Sequence, residues 1–463
     1  MKRILSYIII LGVAAGQYAC NKQLNALPDQ SKVEENVILD LKGAEVALNG
    51  AYYRFVNGGD DRGVPSTITA NDREIFPGRL SGYVEYPYGG GDLTNITIQA
   101  ESFSILPAWT NSYMLVNAAN GVIKGTEALP PAKISDQKRK EILGQARFLR
   151  AYGHYRLLSY FGQFYDINSA YGALLRLEPV TSNNISKQRS SVKESYDAIM
   201  EDVDYAIANA PATNTSYYAS KWAAKALKAR ILINRAQPGD YQEVINIGRE
   251  FMGGSPYSLE ADLRQLFINK GIESNEVILG ILPMPNQRSK ADTYFYFGPG
   301  YVPTQPLTDI FKGDPRANWV LGDMSGSVGI TKFIGPKVEH CYVFRLTEIY
   351  LLTAEAIVRS GGSVTEAGGY LRTVMEHAGV TDFTAVNNAT TADAMLIEIY
   401  KETVRNMICE DGQEWFALLR LPFATVQSIR PAIISINQYI LPIPRTEFQR
   451  NAQIGEQNPG FNK

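Results

Sequence analysis

Residues 226–244 read Ala226-Leu227-Lys228-Ala229-Arg230-Ile231-Leu232-Ile233-Asn234-Arg235-Ala236-Gln237-Pro238-Gly239-Asp240-Tyr241-Gln242-Glu243-Val244, and their pattern decides the fold class. Small residues such as Ala226 mark a first helix that accepts a close neighbour. Pro238-Gly239-Asp240 then breaks the helix in a tight turn, and Tyr241 opens a second helix. A second copy of this order follows 120 or so residues later, in Ala354-Glu355-Ala356, Gly361-Gly362, Ala367 and Tyr370-Leu371. A single helical hairpin cannot bury its own apolar face. Repeated hairpins stack, each covering its neighbour. The pattern resembles, loosely, tetratricopeptide-like helical pairs.

Outward from this stretch the chain keeps the same character. Asp40 caps a predicted helix running to about Phe55, with Ala44, Ala47, Leu48, Ala51 and Phe55 at helical spacing. Helices are also predicted over Trp109–Ile123 and after Ser135. In the latter, Ile142, Ala146, Leu149, Gly153, Leu157 and Tyr160 share a face and Gly162 ends it. Further helices are expected near 191–209, 217–236, 240–252, 393–410 and 412–419. Two stretches break the pattern. Residues 57–106 are rich in Gly, Pro, Asn and Asp with interspersed tyrosines. Residues 254–340 carry strand-like runs (Glu276–Leu282, Lys332–Ile334) among aromatic residues. The reading is mainly α: helical pairs forming a scaffold, with two large irregular, loop-rich insertions. Binding residues commonly sit on such loops, held by a rigid frame.

Composition narrows the function. The chain has 463 residues with 45 basic and 47 acidic side chains, so no basic excess favours nucleic acid. The 27 tyrosines supply flat apolar faces with a hydroxyl, suited to polar ligands, although many tyrosines simply rim a core. Enzyme signatures are absent: no HExxH, GxSxG or GxxxxGK[ST] occurs, and His154, His340 and His377 are far apart. A glycosidase needs two carboxylates flanking the bond it cuts. Glu348 and Glu355 lie on one helix face about 10 Å apart along the axis, but ion pairing with neighbouring helices, with Arg345 and Arg359 near, is the better reading. Asp72 is another carboxylate, with no partner fixed for it. No metal site and no cofactor stand out.

The first residues carry an export signal. Lys2 and Arg3 precede an apolar run, Ile4 to Ala15, too short to span a bilayer. It ends in Gly16-Gln17-Tyr18-Ala19-Cys20, which resembles a bacterial lipobox, except that Gln17 stands where an aliphatic residue is usual. Residues 1–19 are thus expected to be a lipoprotein signal peptide, with Cys20 acylated and tethering a single domain, 20–463, to a membrane. Loss of Lys2 and Arg3 takes the net charge from −2 to −4. Cys341 and Cys409 are the other cysteines. Oxidising surroundings allow a disulfide, but two buried thiols are the commoner arrangement.

Several segments, in order, resemble the SusD/RagB family of outer-membrane nutrient-binding lipoproteins. They are Gly43-Ala44-Glu45-Val46-Ala47-Leu48-Asn49-Gly50-Ala51-Tyr52, then Gly144–Tyr152 running on to Tyr160-Phe161-Gly162, then Ser195–Ile207 with Ala223–Leu232. Phe344–Ala356 follows, then Asp411-Gly412-Gln413-Glu414-Trp415-Phe416, and finally Leu441-Pro442-Ile443-Pro444 with Gln457-Asn458-Pro459-Gly460-Phe461. The resemblance implies a SusD-like α–α superhelix at the cell surface and a SusC-like TonB-dependent transporter as partner. It also implies a glycan ligand, bound and passed on without cleavage. A peptide ligand, as for RagB, is the alternative; a surface glycoside hydrolase ranks below both. The resemblance places ligand contacts in the two insertions. There Tyr83, Tyr86, Tyr88, Tyr294, Tyr296 and Trp319 are candidate stacking platforms, and Asn71, Asp72, Arg73 and Arg79 candidate hydrogen-bonding residues. Tyr301 and Trp109, near Pro-anchored or periodic segments, are assigned to structure.

Overall fold

The computed structural model describes residues 38–59, 67–68, 71–89, 91–283, 290–295 and 298–463; the side chains of 57–59, 67–68 and 71–72 are outside the description. Cys20, Tyr296 and the side chains of Asn71 and Asp72 therefore lie outside the described residues.

Ten helices form the scaffold. They are α1 (Leu41–Val56), α2 (Leu106–Ala128), α3 (Asp136–Phe161), α4 (Val192–Asn209), α5 (Lys221–Arg235), α6 (Asp240–Gly254), α7 (Leu346–Arg359), α8 (Val364–His377), α9 (Ala392–Met407) and α10 (Gln413–Leu419). Their starts follow capping chemistry. Asp40 Oδ1 accepts from Gly43 N at 2.8 Å, the Ser135 hydroxyl accepts from Lys138 N, and Ser191 with Glu194 forms a reciprocal capping box at α4. The turn between α5 and α6 uses Gly239 at φ 89°, and the Asp240 carboxylate accepts from Arg235 and from Gln237 N, fixing the bend.

α3 is the central helix: it is buried from Ile142 to Tyr160 with hardly a break, because α1, α2 and α4 surround it. Gly153 permits the approach of α2, since a Cβ there would lie 2.7 Å from Val116 Cγ2. Gly248 does the same where α6 meets Thr353 of α7, so the α5–α6 hairpin packs on the α7–α8 hairpin across the intervening insertion. This is the stacking that the two sequence copies predict.

Besides a short antiparallel pair, Asn57–Gly59 with Thr67–Ile68, the strands are β1 (Val84–Glu85), β2 (Val277–Ile281), β3 (Val302–Pro303), β4 (Leu321–Met324), β5 (Ser327–Ile330) and β6 (Cys341–Arg345), all of them short. β2 pairs antiparallel with β6, both wholly buried, β4 pairs with β5, and β1 pairs with β3. The strand expected at Lys332–Ile334 is instead a turn. Lys332 swings inward there to Glu410 and the carbonyls of Asn406 and Ile408, which takes the backbone out of extended geometry.

The core between α3, α5, α7 and α10 is charged as well as apolar. Arg230 forks onto Glu348 at 2.7 Å and also pairs with Asp411. Arg345 holds Glu410 and Glu276, and Arg316 holds Glu402 and Asp314. Asp411 also accepts from Tyr152 at 2.6 Å and lies at φ 49°, beside Cys409 at φ 59° and Gly412 at φ 78°. A buried carboxylate survives only with such partners. Glu348 and Glu355 are ion-paired as expected, although with different partners for the first. Glu348 meets Arg230 of α5, not Arg345, and Glu355 is held by Arg420 and Arg359. Cys341 and Cys409 are buried free thiols. His154 is packed inside α3, where burial pushes its imidazole down to about 3 and its Nε2 accepts from Arg176 N. Among the described residues no helix is long and apolar enough to cross a membrane.

Candidate functional site

The two insertions meet at one ribbon. Val84 of β1 lies opposite Pro303 of β3, and Glu85 opposite Val302. The next rung of an antiparallel ladder places residue 86 against residue 301. Tyr86 and Tyr301 do stack there, ring centres 5.0 Å apart at 29°, with their hydroxyls 3.5 Å apart. Thr304 ties the ribbon down, N–H to Tyr83 O at 3.0 Å and Oγ1 to Gly82 O at 2.7 Å. Beyond Tyr86 the chain turns at Pro87 and Tyr88, closed by Gly89 N donating to Tyr86 O. Tyr86 is 42% exposed and Tyr88 is wholly exposed. The guanidinium of Arg79, from the short helix Phe76–Leu80, lies over the Tyr86 ring at 4.3 Å. The result is a two-ring aromatic ledge, with hydroxyls at its rim, a cation against it and a further tyrosine projecting beside it. Such a surface offers the exposed Tyr88 ring to the C–H face of a sugar and the rim hydroxyls of Tyr86 and Tyr301 to its hydroxyls.

Tyr301, assigned to structure from its proline-anchored surroundings, is half of the ledge. The signal was present as two short β-type runs, Tyr83-Val84-Glu85-Tyr86 and Tyr301-Val302-Pro303, but their register across more than 200 residues is a tertiary fact.

Four candidates pack into the protein and not onto the ledge. Tyr83 is not a platform: it is 1% exposed and its hydroxyl bonds that of Tyr400 on α9, since it faces inward where the ribbon leaves the core. Tyr294 is also buried, its hydroxyl donating to Glu74 Oε2 at 2.6 Å, with Lys290 on the same carboxylate. Arg73 is a core residue. It donates to Tyr152 Oη and Phe55 O, each at 2.7 Å, and lies over both rings. Trp319 packs on Phe267 in a separate aromatic cluster with Phe333 and Tyr342. Among the described candidates, Tyr86, Tyr88 and Arg79 are brought together.

Glu414, at the start of α10, lies beside Gly78 of the short helix that carries Arg79. It is fully buried; Oε1 accepts from Cys409 N and Oε2 has no partner. Burial pushes its carboxyl up to about 8.

Comparison with known proteins agrees with this architecture. Residues 91–233 match a family model described as starch-binding, associating with the outer membrane, and residues 334–433 match the SusD family model. A SusD-like protein of Bacteroides ovatus is 21% identical over 226 residues, spanning 46% of this chain and 40% of that protein. A crystal structure described as a putative sugar binding protein from Bacteroides vulgatus is 18% identical and superposes with TM-score 0.75. The match covers 92% of this chain and all of that one. A laminarin binding SusD-like protein is 20% identical with TM-score 0.70, over 91% of this chain and all of the other.

Proposed function

The chain belongs to the SusD/RagB family, and from that premise we propose that it captures a glycan on the Tyr86–Tyr301 ledge and delivers it to a SusC-like TonB-dependent transporter. In this reading the protein sits on the outer face of the outer membrane, anchored through an acylated Cys20, and does not cleave what it binds. The observation that carries the reading is the ledge: two stacked tyrosines from separate insertions, with Tyr88 fully exposed beside them, on a stiff helical frame. The sugar-binding and laminarin-binding descriptions of two structural neighbours support a glycan. The carboxylates proposed for hydrolysis support a binding role, because Glu348 and Glu355 are buried and neutralised by arginines, out of reach of a polymer.

Titration calorimetry against a panel of poly- and oligosaccharides tests this, with Tyr301→Ala and Tyr86→Ala beside the unaltered chain. Each substitution is expected to weaken binding about fivefold or more, the loss of roughly 1 kcal/mol of ring contact, with the melting temperature nearly unchanged. Binding of peptides and of no glycan would refute the ligand assignment. Undiminished glycan binding by both variants would refute the ledge. For the anchor, Cys20→Ala is expected to move the protein from the membrane fraction to the soluble one.

A further inference from the structure

Arg79 is 5% exposed, yet among the described residues it has no ion pair, and none of its N–H groups donates a hydrogen bond. Its Nε is buried without a partner. The contrast within the same molecule is sharp: Arg230, Arg316 and Arg345, equally hidden, each hold two carboxylates. The nearest acidic residue along the chain from its resting place, Asp92, spends Oδ1 on Leu93 N and Oδ2 on Ser104. What Arg79 has is the face of Tyr86, at 4.3 Å, and the bare backbone of Gly91, where a Cβ would lie 2.5 Å from its terminal nitrogen. A ring face offsets part of the cost of withdrawing a guanidinium from water, but it satisfies none of five donors. A cation held this way, with its fork unfilled and its plane against the ledge, lacks an acceptor among the described residues.

Resting on the ledge as the binding surface, we propose that Arg79 selects an anionic glycan, whose carboxylate or sulfate oxygens fill the guanidinium fork while the sugar packs along the hydroxyl rim of the Tyr86–Tyr301 pair and on the exposed Tyr88. Carboxylate and sulfate each present a pair of charged oxygens to that fork in a two-point contact, which a neutral hydroxyl does not reproduce. The absence of a side chain at Gly91 keeps the terminal nitrogen free of a steric cover, so position 91 shares in the selection.

The test uses the full chain and matched ligand pairs that differ only in charge: oligogalacturonate against its methyl ester, and dextran sulfate against dextran. Laminarin and polyglutamate serve as the neutral-glycan and acidic-peptide arms. The charged member of at least one pair is expected to bind about ten- to a hundredfold more tightly than its neutral partner, the range for one charge-assisted contact. Which pair responds separates uronate from sulfate ester. The preference is expected to shrink as salt rises, to vanish in Arg79→Gln and to survive in part in Arg79→Lys. Binding of laminarin or dextran with no preference for charge overturns this proposal and leaves the glycan-binding function standing. Binding of polyglutamate alone, or of no glycan, overturns both. If Arg79→Gln fails to fold, the matched pairs and the salt series on the unaltered chain still decide the matter.

Discussion

Replacing Glu414 by Gln should make the protein more stable, and increasingly so as pH rises. Glu414 is fully buried, its Oε2 has no partner, and its carboxyl is pushed from the usual 4.5 up to about 8, chiefly by burial. A folded-state pKa above the unfolded one means the native protein holds a proton that the unfolded chain gives up. Stability is therefore fullest below about pH 4.5 and falls as pH climbs toward 8. Each pH unit in that window costs about 1.4 kcal/mol. The accumulated loss is about 1 kcal/mol at pH 5 and about 3 kcal/mol at pH 7. Glutamine keeps the oxygen that accepts from Cys409 N and cannot ionise. Urea unfolding of both proteins at half-unit steps between pH 5 and 8 measures the difference directly. The advantage of Gln over Glu should widen by about 2 kcal/mol from pH 5 to pH 7. A difference that stays flat across that range refutes the account, because it would mean that Glu414 is ionised in the native state.

Other outcomes follow from the same packing. Tyr83→Phe removes the hydroxyl contact with Tyr400 and should cost about 1 kcal/mol of stability while leaving glycan affinity unchanged, as measured by urea unfolding and calorimetry on one preparation. Arg230→Met strands Glu348 in the core, while Asp411 keeps Arg156 and Tyr152, and should destabilise by about 3–5 kcal/mol, read as a lowered unfolding midpoint at constant slope. Gly412→Ala places a Cβ 2.7 Å from the Tyr160 hydroxyl at φ 78°, and should destabilise measurably in the same assay. The His154 imidazole should show no titration in NMR spectra between pH 5 and 8, because burial holds it down to about 3.

The scaffold was legible because helices announce themselves locally. The Asp40 and Ser135 caps, the Gly239-Asp240 bend and the Gly162 stop all act within a few residues of where they are written. Gly153 was likewise readable as a place of close approach. The site was less legible, because an aromatic residue in a glycine-rich loop carries the same letters whether it faces in or out. Tyr83 and Tyr86 are three residues apart on one short run, yet one bonds Tyr400 in the core and the other stacks on Tyr301 at the surface. Residue type says that both can bond and stack. Only the pairing of β1 with β3 says which turns into the core and which stays at the surface. Arg73 and Arg79 divide in the same way, one donating to Tyr152 Oη and Phe55 O, the other to no acceptor among the described residues.

The pairing of β1 with β3 has a consequence for how specificity can change. Its rungs join positions 84–86 to 301–303, so neither insertion alone builds the proposed recognition surface. A loop transplanted alone from a relative would arrive without its opposite rung and present one ring where two are needed. Functional chimeras should therefore require both excursions to be exchanged together, and substitutions at positions 86 and 301 should be inherited as a pair.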